Sequence, residues 1–335
     1  MRYLVTGGTG FVGAYAVRAL REAGHQVTVL DLMPNRDFLA DVLGAAPGEG
    51  APLNWRPSAD AVAGDDVRIV SGDVTDMPLV LRVMREAQAQ RVVHLAATLS
   101  LSSEANPLRT LKVNCEGTIN VFEAALALGV SKVVWASSVA VFGGAARGAE
   151  RLANNAHHAP LGLYGAVKSM NESLGRHYKR QRGLDNVGLR FTAVYGYGKA
   201  LTIPRGTGVD YITELLEKPA AGEPGVIANG DDTPDWLYAE DVARAIRLAS
   251  EAPPCAEAGL TICGDARSMQ EAVAYVRQLL PQAHIHVTSG RQSGRMRYDP
   301  STTEAAIGYS PQFPMEEGFR RTINMVRAKH GLPIV

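Results

Sequence analysis

Cysteine is scarce in this chain: Cys115, Cys255 and Cys263 are the only three among 335 residues, with no CxxC pair. An odd number without metal-ligand spacing argues against a disulfide framework or a structural zinc, and no metal is expected. Such cysteines read as buried free thiols of a reducing compartment, so a cytoplasmic location is expected. An excess of one charge is also missing, because 34 basic residues balance 34 acidic ones. Net charge therefore gives no handle for nucleic acid or an anionic membrane. Long apolar runs are absent too, and none approaches the roughly 18 residues of a membrane span. Met1 to Val5 passes straight into a strand pattern, so no signal peptide is expected. What remains fits one large α/β domain, or one domain with a smaller partner.

The most informative stretch is the first thirteen residues. Tyr3-Leu4-Val5 reads as a short buried strand. Residues 6–13, TGGTGFVG, then turn into a helical pattern with Val12, Ala16, Val17 and Leu20 on one face. Gly7 allows the tight turn, Gly10 lets backbone approach a pyrophosphate, and Gly13 lets helix pack closely on strand. Phe11 and Val12 open a helix whose free N–H groups and dipole favour phosphate. A second strand from Gln26 ends at Asp31, where a carboxylate takes the ribose hydroxyls of NAD. Asp31 would repel a 2′-phosphate, so NAD is expected over NADP despite Arg36 nearby.

Further strands are predicted over 67–71, 91–95, 132–136 and 187–191, with helices over 78–88, 108–128 and 164–181 between them. Residues 35–66 make a long connection punctuated by Gly and Pro, with one short helix over 37–43, and read as a surface insertion. This alternation argues a doubly wound parallel sheet of the Rossmann type, with helices on both faces. From about Tyr195 the rhythm breaks. The expected organisation is a dinucleotide-binding domain over 1–194 and a smaller, partly discontinuous substrate-binding portion over 195–335. The strand and helix near 236–250, capped near Glu240, are expected to return to the first domain. Further helices are predicted over 209–216, 270–280 and 315–329. Ligands in such folds bind beyond the carboxyl ends of the strands. That singles out Asp73, Ser138, Thr192 and the segment Leu95-Ala96-Ala97, whose alanines would let a dinucleotide lie across the strand end.

Ser138, Tyr164 and Lys168 form the expected catalytic set. Tyr164 and Lys168 lie four apart on a predicted helix and so share a face. A lysine ammonium beside a phenol stabilises phenolate, so the Tyr164 pKa is expected to fall from about 10 towards neutrality. Such a tyrosine accepts the proton of a substrate alcohol while hydride leaves to the cofactor. Ser138, at a strand end, hydrogen-bonds the same oxygen as charge develops.

These motifs resemble the extended short-chain dehydrogenase/reductase family, in its nucleotide-sugar epimerase/dehydratase-like branch. The resemblance spans essentially the whole chain. It rests on the glycine turn, on residues 72–76 (GDVTD) and 94–97 (HLAA), and on 114–118 (NCEGT). It continues through 137–143 (SSVAVFG), 164–168 (YGAVK), 189–196 (LRFTAVYG) and 238–243 (YAEDVA). It implies that Tyr164 is the acid/base, that Lys168 also holds the nicotinamide ribose, and that Ser138 positions the reacting oxygen. It implies further that Asp73 and Val74 flank adenine, and that a homodimer forms by packing 108–128 and 164–181 into a four-helix bundle.

The departures from that family narrow the function. Sugar 4,6-dehydratases carry Thr-Asp-Glu where this chain has Ser138-Val139-Ala140, so water elimination lacks its acid and base. Nucleotide-sugar enzymes usually carry asparagine at the position of Ala193 and arginine at that of Pro234. Both normally grip the diphosphate, and charge-assisted bonds are worth roughly 1.5–3 kcal/mol each. Arg291, Arg295 or Arg297 would replace them in part, or hold a substrate carboxylate. The leading expectation is an NAD-dependent dehydrogenase/reductase acting on a small hydroxylated substrate such as a sugar or hydroxy acid. A nucleotide-sugar epimerase with tightly bound NAD is the alternative, and a non-catalytic cofactor sensor the third. Asn114 is expected beside the site, bracing backbone or touching cofactor. His94 is expected to be a packed histidine, and His157-His158 to be ordinary loop residues.

Overall fold

The computed structural model describes residues 1–44, 67–146, 150–208, 210–291 and 297–335. The first half alternates as predicted: β1 (Arg2–Thr6), α1 (Phe11–Glu22), β2 (Gln26–Asp31), α2 (Arg36–Gly44), β3 (Val67–Ser71), α3 (Met77–Glu86) and β4 (Arg91–His94). It continues through α4 (Ser100–Ala105), α5 (Pro107–Thr110), a π-helical turn (Leu111–Glu116), α6 (Gly117–Ala127), β5 (Lys132–Ser138), α7 (Leu163–Arg182) and β6 (Asn186–Phe191). The second half holds β7 (Ala193–Tyr195), α8 (Lys218–Ala220), β8 (Gly225–Ile227), β9 (Asp235–Tyr238), α9 (Ala239–Glu251), β10 (Gly259–Ile262) and β11 (Asp265–Ala266). It ends with α10 (Met269–Leu279), β12 (Ile285–Val287), α11 (Ser301–Ile307) and α12 (Met315–Lys329).

Seven strands form one parallel sheet in the order β10-β6-β5-β4-β1-β2-β3. The order reverses between β1 and β4, and ligands of open α/β sheets bind at that crevice. Alternation along each strand fills two cores. Tyr3, Val5, Val29, Val93 and Leu189 pack with Tyr15 and Val17 of α1 and with Val242 and Ile246 of α9. On the other face Leu4, Leu30, Val92 and Trp135 pack with Val83 of α3, Phe122 of α6 and Tyr178 of α7. A third core, around Tyr195, Tyr211, Trp236 and Phe319, holds the C-terminal portion together.

The chain is more interleaved than the sequence suggests. Strand β10 adds a seventh member to the sheet, pairing with β6 through Gly259↔Gly188 to Ile262↔Phe191. Helix α9 returns to pack on α1, but β9 does not join the main sheet. It sits instead in a three-stranded sheet between β7 and β11. The residue that caps α9 is Tyr238, and Glu240, in its first turn, accepts from Arg18 of α1 at 2.8 Å. The helix expected over 108–128 is interrupted by the π-helical turn, which aims Asn114 inward. Helix α2 forms where the short helix was expected; the rest of the long insertion, and Val209 at the head of the 209–216 helix, lie outside the described residues.

Candidate active site

A cleft of about 530 Å³ opens at the strand ends. Gly7, Gly10, Phe11, Val12 and Gly13 wall one end, and Ser138, Tyr164 and Lys168 line its side. Gly7 needs its left-handed φ of +70°, and a Cβ there would stand 2.9 Å from the backbone nitrogen of Ala96. At Gly13 a Cβ would fall on the carbonyl of Gly7, so helix and turn touch directly. Gly10 is the N-cap of α1, with no side-chain cap and no acid in the first turn. An uncapped helix start lining a cleft suits a pyrophosphate. Asp31 Oδ2 accepts from the Thr9 backbone N–H at 3.0 Å and hydroxyl at 2.8 Å, while Oδ1 has only a long 3.4 Å contact from the Met33 N–H. One carboxylate oxygen thus braces the turn and the other is open to a ribose hydroxyl. These residues fit the dinucleotide.

The remaining expected cofactor residues divide. Leu95 and Ala97 line the cleft. Ala96 donates its backbone N–H to Thr6 Oγ1 at 3.3 Å and packs against Gly7. Asp73 accepts from Thr75 N–H at 2.9 Å and from Arg109 at 2.8 Å. Burial pushes its carboxyl up, but these two donors outweigh it and hold it below the usual range. Val74 is buried under Gly117. Asn114 does not line the cleft: its amide pairs with both backbone groups of Thr98, at 2.8 and 3.2 Å. It is a brace for the loop after β4, the first of its two expected roles. His94 is packed between Thr6 and Thr118 at 2.7 and 3.1 Å, and burial pushes its pKa down to about 3.

The geometry of the catalytic set corrects one expectation. Burial pushes the Tyr164 phenol up to about 12, with a hydrogen bond from Ser138 pulling the other way. Lys168 Nζ lies 5.5 Å from the Tyr164 ring centroid and donates to the Ala136 carbonyl at 2.6 Å. Burial lowers this lysine to about 8. Desolvation therefore sets the sign of the shift in the protein alone, and the phenolate that accepts a proton needs added positive charge beside it. Ser137 also lines the cleft, but its hydroxyl is already engaged. Its hydroxyl donates to buried Glu172 at 2.7 Å, and Glu172 accepts from Arg190 at 2.6 and 2.8 Å. The anchored neighbour leaves Ser138 to line the cleft.

Two expected substrate residues are misplaced. Arg291 lines a separate cavity of about 520 Å³ with Asp210, Tyr211, Glu214, Val226, Ala228 and Asn229. Arg297 is exposed, and only its carbonyl is tied in, accepting from Leu152 at 2.9 Å. Neither residue lines the catalytic cleft. Arg295 lies outside the described residues. Ala193 does line the cleft, with Thr192 and Pro234. His158 is tied to Ser169 at 2.8 Å rather than to the cleft.

The sequence reading missed several cleft residues. Lys199 and Arg205 come from the segment after β7, which folds back over the glycine turn. Lys199 Nζ stands 5.7 Å from the Phe11 ring, and Arg205 Nη1 would lie 3.1 Å from a Cβ on Gly10. Asp235 and Tyr298 close the opposite end. The signal for the first pair was two basic residues in a Gly- and Thr-rich stretch. Nothing local marks the second pair, whose meeting is tertiary.

A glycine turn and a Ser–Tyr–Lys set in one cleft, with an open acid after β2 braced on that turn, define a dinucleotide-dependent enzyme of the short-chain dehydrogenase/reductase type. The chain belongs to the NAD dependent epimerase/dehydratase family, whose model matches residues 3–261. It is 26% identical over 332 residues to the UDP-glucose 4-epimerase of Neisseria meningitidis serogroup B, covering 93% of each chain. It is 29% identical over 345 residues to the dTDP-glucose 4,6-dehydratase of Mycobacterium tuberculosis, covering 98% of this chain and 93% of that one. Among solved structures, the Thermus thermophilus UDP-glucose 4-epimerase in complex with NAD superposes with a TM-score of 0.78 at 26% identity, covering 98% of this chain and 99% of that one.

Proposed function

We propose that this protein is an NAD-dependent oxidoreductase that interconverts a secondary alcohol and its ketone on a small hydroxylated substrate. The observation that carries this reading is the shared cleft of Ser138, Tyr164 and Lys168 with the glycine turn. NAD, when bound, supplies the nicotinamide carbon that takes or returns hydride and, when oxidised, a positive charge. Gly10, Phe11 and Val12 would receive its pyrophosphate, Asp31 its ribose, and Lys168 the ribose next to the ring. Tyr164 takes the alcohol proton as the C–H bond gives up hydride, and returns it in the reverse direction. Ser138 holds the same oxygen through both states. Lys168, kept near the ring by the Ala136 carbonyl, adds charge that favours the phenolate when the proton moves.

Elimination of water is a poor fit. Val139 and Ala140 line the cleft where a dehydratase needs an acid and a base, and among the described lining residues Asp235 is the one acid. A second reading, epimerisation of a nucleotide sugar with hydride returned to the opposite face, is favoured by the relatives. It is also favoured by the cavity beyond Tyr211, a residue that lines both spaces. The test is a screen of sugars, polyols, hydroxy acids and nucleotide sugars with NAD. Net appearance of reduced cofactor supports the dehydrogenase. Interconversion of UDP-sugars with retained cofactor and no net reduction overturns it in favour of the epimerase. Neither activity, with NAD bound, sinks both. We also propose a homodimer through the face of α5, α6 and α7, where Leu108, Leu111 and Met170 are exposed.

A further inference from the structure

The cleft is polarised from end to end. Besides Lys168, its cations are Lys199 and Arg205, and both stand over the glycine turn. The far end carries Asp235, which is 4% exposed, with Tyr298, which is 5% exposed, in the same wall. Only one oxygen of Asp235 is used: Oδ1 accepts from the Thr192 hydroxyl and from the Gly264 N–H, each at 2.7 Å. No hydrogen bond among the described residues reaches Oδ2. The Tyr298 hydroxyl is buried without a partner among the described residues. Buried polar groups are rarely left with unused capacity, because each unmade bond costs free energy. A buried unpartnered hydroxyl and an open carboxylate oxygen in one wall of a cleft point to a ligand that completes them.

We infer that the distal wall built from Asp235 and Tyr298 reads a second hydroxyl of the substrate, so that the substrate is an uncharged polyol or sugar rather than a hydroxy acid or phosphate ester. This inference rests on the oxidoreductase reading above and names its substrate class. A substrate hydroxyl donates to Asp235 Oδ2 and accepts from Tyr298. A carboxylate or phosphate there would have no proton to donate to Asp235. It would also face a carboxylate in an apolar setting, where repulsion is weakly screened. Burial pushes Asp235 up to about 6, so it is ionised at neutral pH. Arg291 and Arg297, two of the arginines expected to hold an anionic tail, do not line this cleft.

The test uses the full chain with NAD and matched pairs of substrates: a neutral polyol or sugar and its carboxylate counterpart of equal carbon number. The wild type is expected to favour the neutral member at least tenfold in kcat/KM. Tyr298→Phe removes a hydroxyl that bonds nothing among the described residues, so a purely structural role predicts an unchanged or raised melting temperature and unchanged kinetics. The inference predicts the unchanged melting temperature together with a KM for the neutral substrate raised about tenfold or more. Asp235→Asn, which keeps the acceptor for Thr192 and Gly264, is expected to narrow the neutral-over-anionic preference. A wild type that prefers the carboxylate, or a Tyr298→Phe variant with parental kinetics on its best substrate, overturns the inference and leaves the oxidoreductase reading intact. Failure of every pair to reduce NAD in a protein that binds it overturns both.

Discussion

Removing Glu172 should unfold this protein more readily than removing any residue of the catalytic set. Its carboxylate is fully buried and takes two bonds from Arg190, at 2.6 and 2.8 Å, and one from Ser137 at 2.7 Å. Arg190 is itself 5% exposed and also donates to the Asn154 carbonyl at 2.7 Å. The space is fitted to the pair, for a Cβ on Gly259 would stand 2.7 Å from the Glu172 carboxyl carbon. Glu172→Ala leaves a buried guanidinium without its counterion, a loss of about 3–5 kcal/mol. The double variant Glu172→Ala/Arg190→Ala removes both charges together and should lose far less than the Glu172→Ala and Arg190→Ala losses added. Urea unfolding followed by tryptophan fluorescence measures all three, with equal m-values as the check on two-state behaviour. Arg190→Ala has a further signature. Burial and Arg190 lower the His158 pKa while Glu172 raises it, so losing Arg190 lets His158 take up a proton beside Glu172. A folded-state histidine pKa held below the unfolded value costs stability as pH falls through the unfolded value, and a His158 less depressed in the variant costs less there. The Arg190→Ala deficit should therefore be smaller in mildly acidic than in alkaline buffer. A single-variant loss under about 1 kcal/mol, or strict additivity in the double variant, would refute the reasoning.

Three further outcomes are expected. Tyr164→Phe should lower kcat by roughly 10²–10⁴-fold with little change in NAD affinity, since it deletes the proton acceptor and leaves the glycine turn intact; steady-state turnover and cofactor titration check the two halves. Asp235 has its pKa raised from 3.8 to about 6 by burial, so the folded state holds its proton more tightly than the unfolded one. Stability from this group is then greatest at acid pH and falls as pH rises between those values, by about 3 kcal/mol in all. Asp235→Asn should be free of that fall. The comparison must allow for Asp265, Cys263, Tyr211 and Tyr298, which also face the carboxyl; the three non-acids titrate far above the window. Leu111→Glu with Met170→Glu should convert a dimer to monomers in light scattering, while a wild type that is already monomeric removes the proposed interface.

Much of the site was readable because its parts are local. The glycine turn, the acid after β2 and the Tyr164–Lys168 spacing are set by neighbours within one or two turns of chain. The strand–helix rhythm of the first half is likewise a property of short windows. What escaped was tertiary. Strand β10 is short, Gly259 to Ile262, and its partner β6 ends far back at Phe191, so no periodicity marks it as part of the main sheet. The absence of Arg291 and Arg297 from the cleft lining is a tertiary fact that no local pattern reports. The sign of the Tyr164 shift depends on burial, which spacing on a helix does not report. Thr9 was inside the quoted motif, yet its grip on Asp31 appears only when turn and strand end are brought together.

The late arrival of β10 shapes how the chain must be made. Six strands of its sheet leave the ribosome before it, and the outer rim of β6 stays bare from Phe191 until Ile262 has emerged. At roughly 5–20 residues per second the nascent protein carries an adhesive border for several seconds. Any product that stops short of residue 262 keeps that border permanently, open to pairing with the next unfinished copy. Fragments that end near residue 194 are therefore expected to clump, not to serve as small cofactor-binding units.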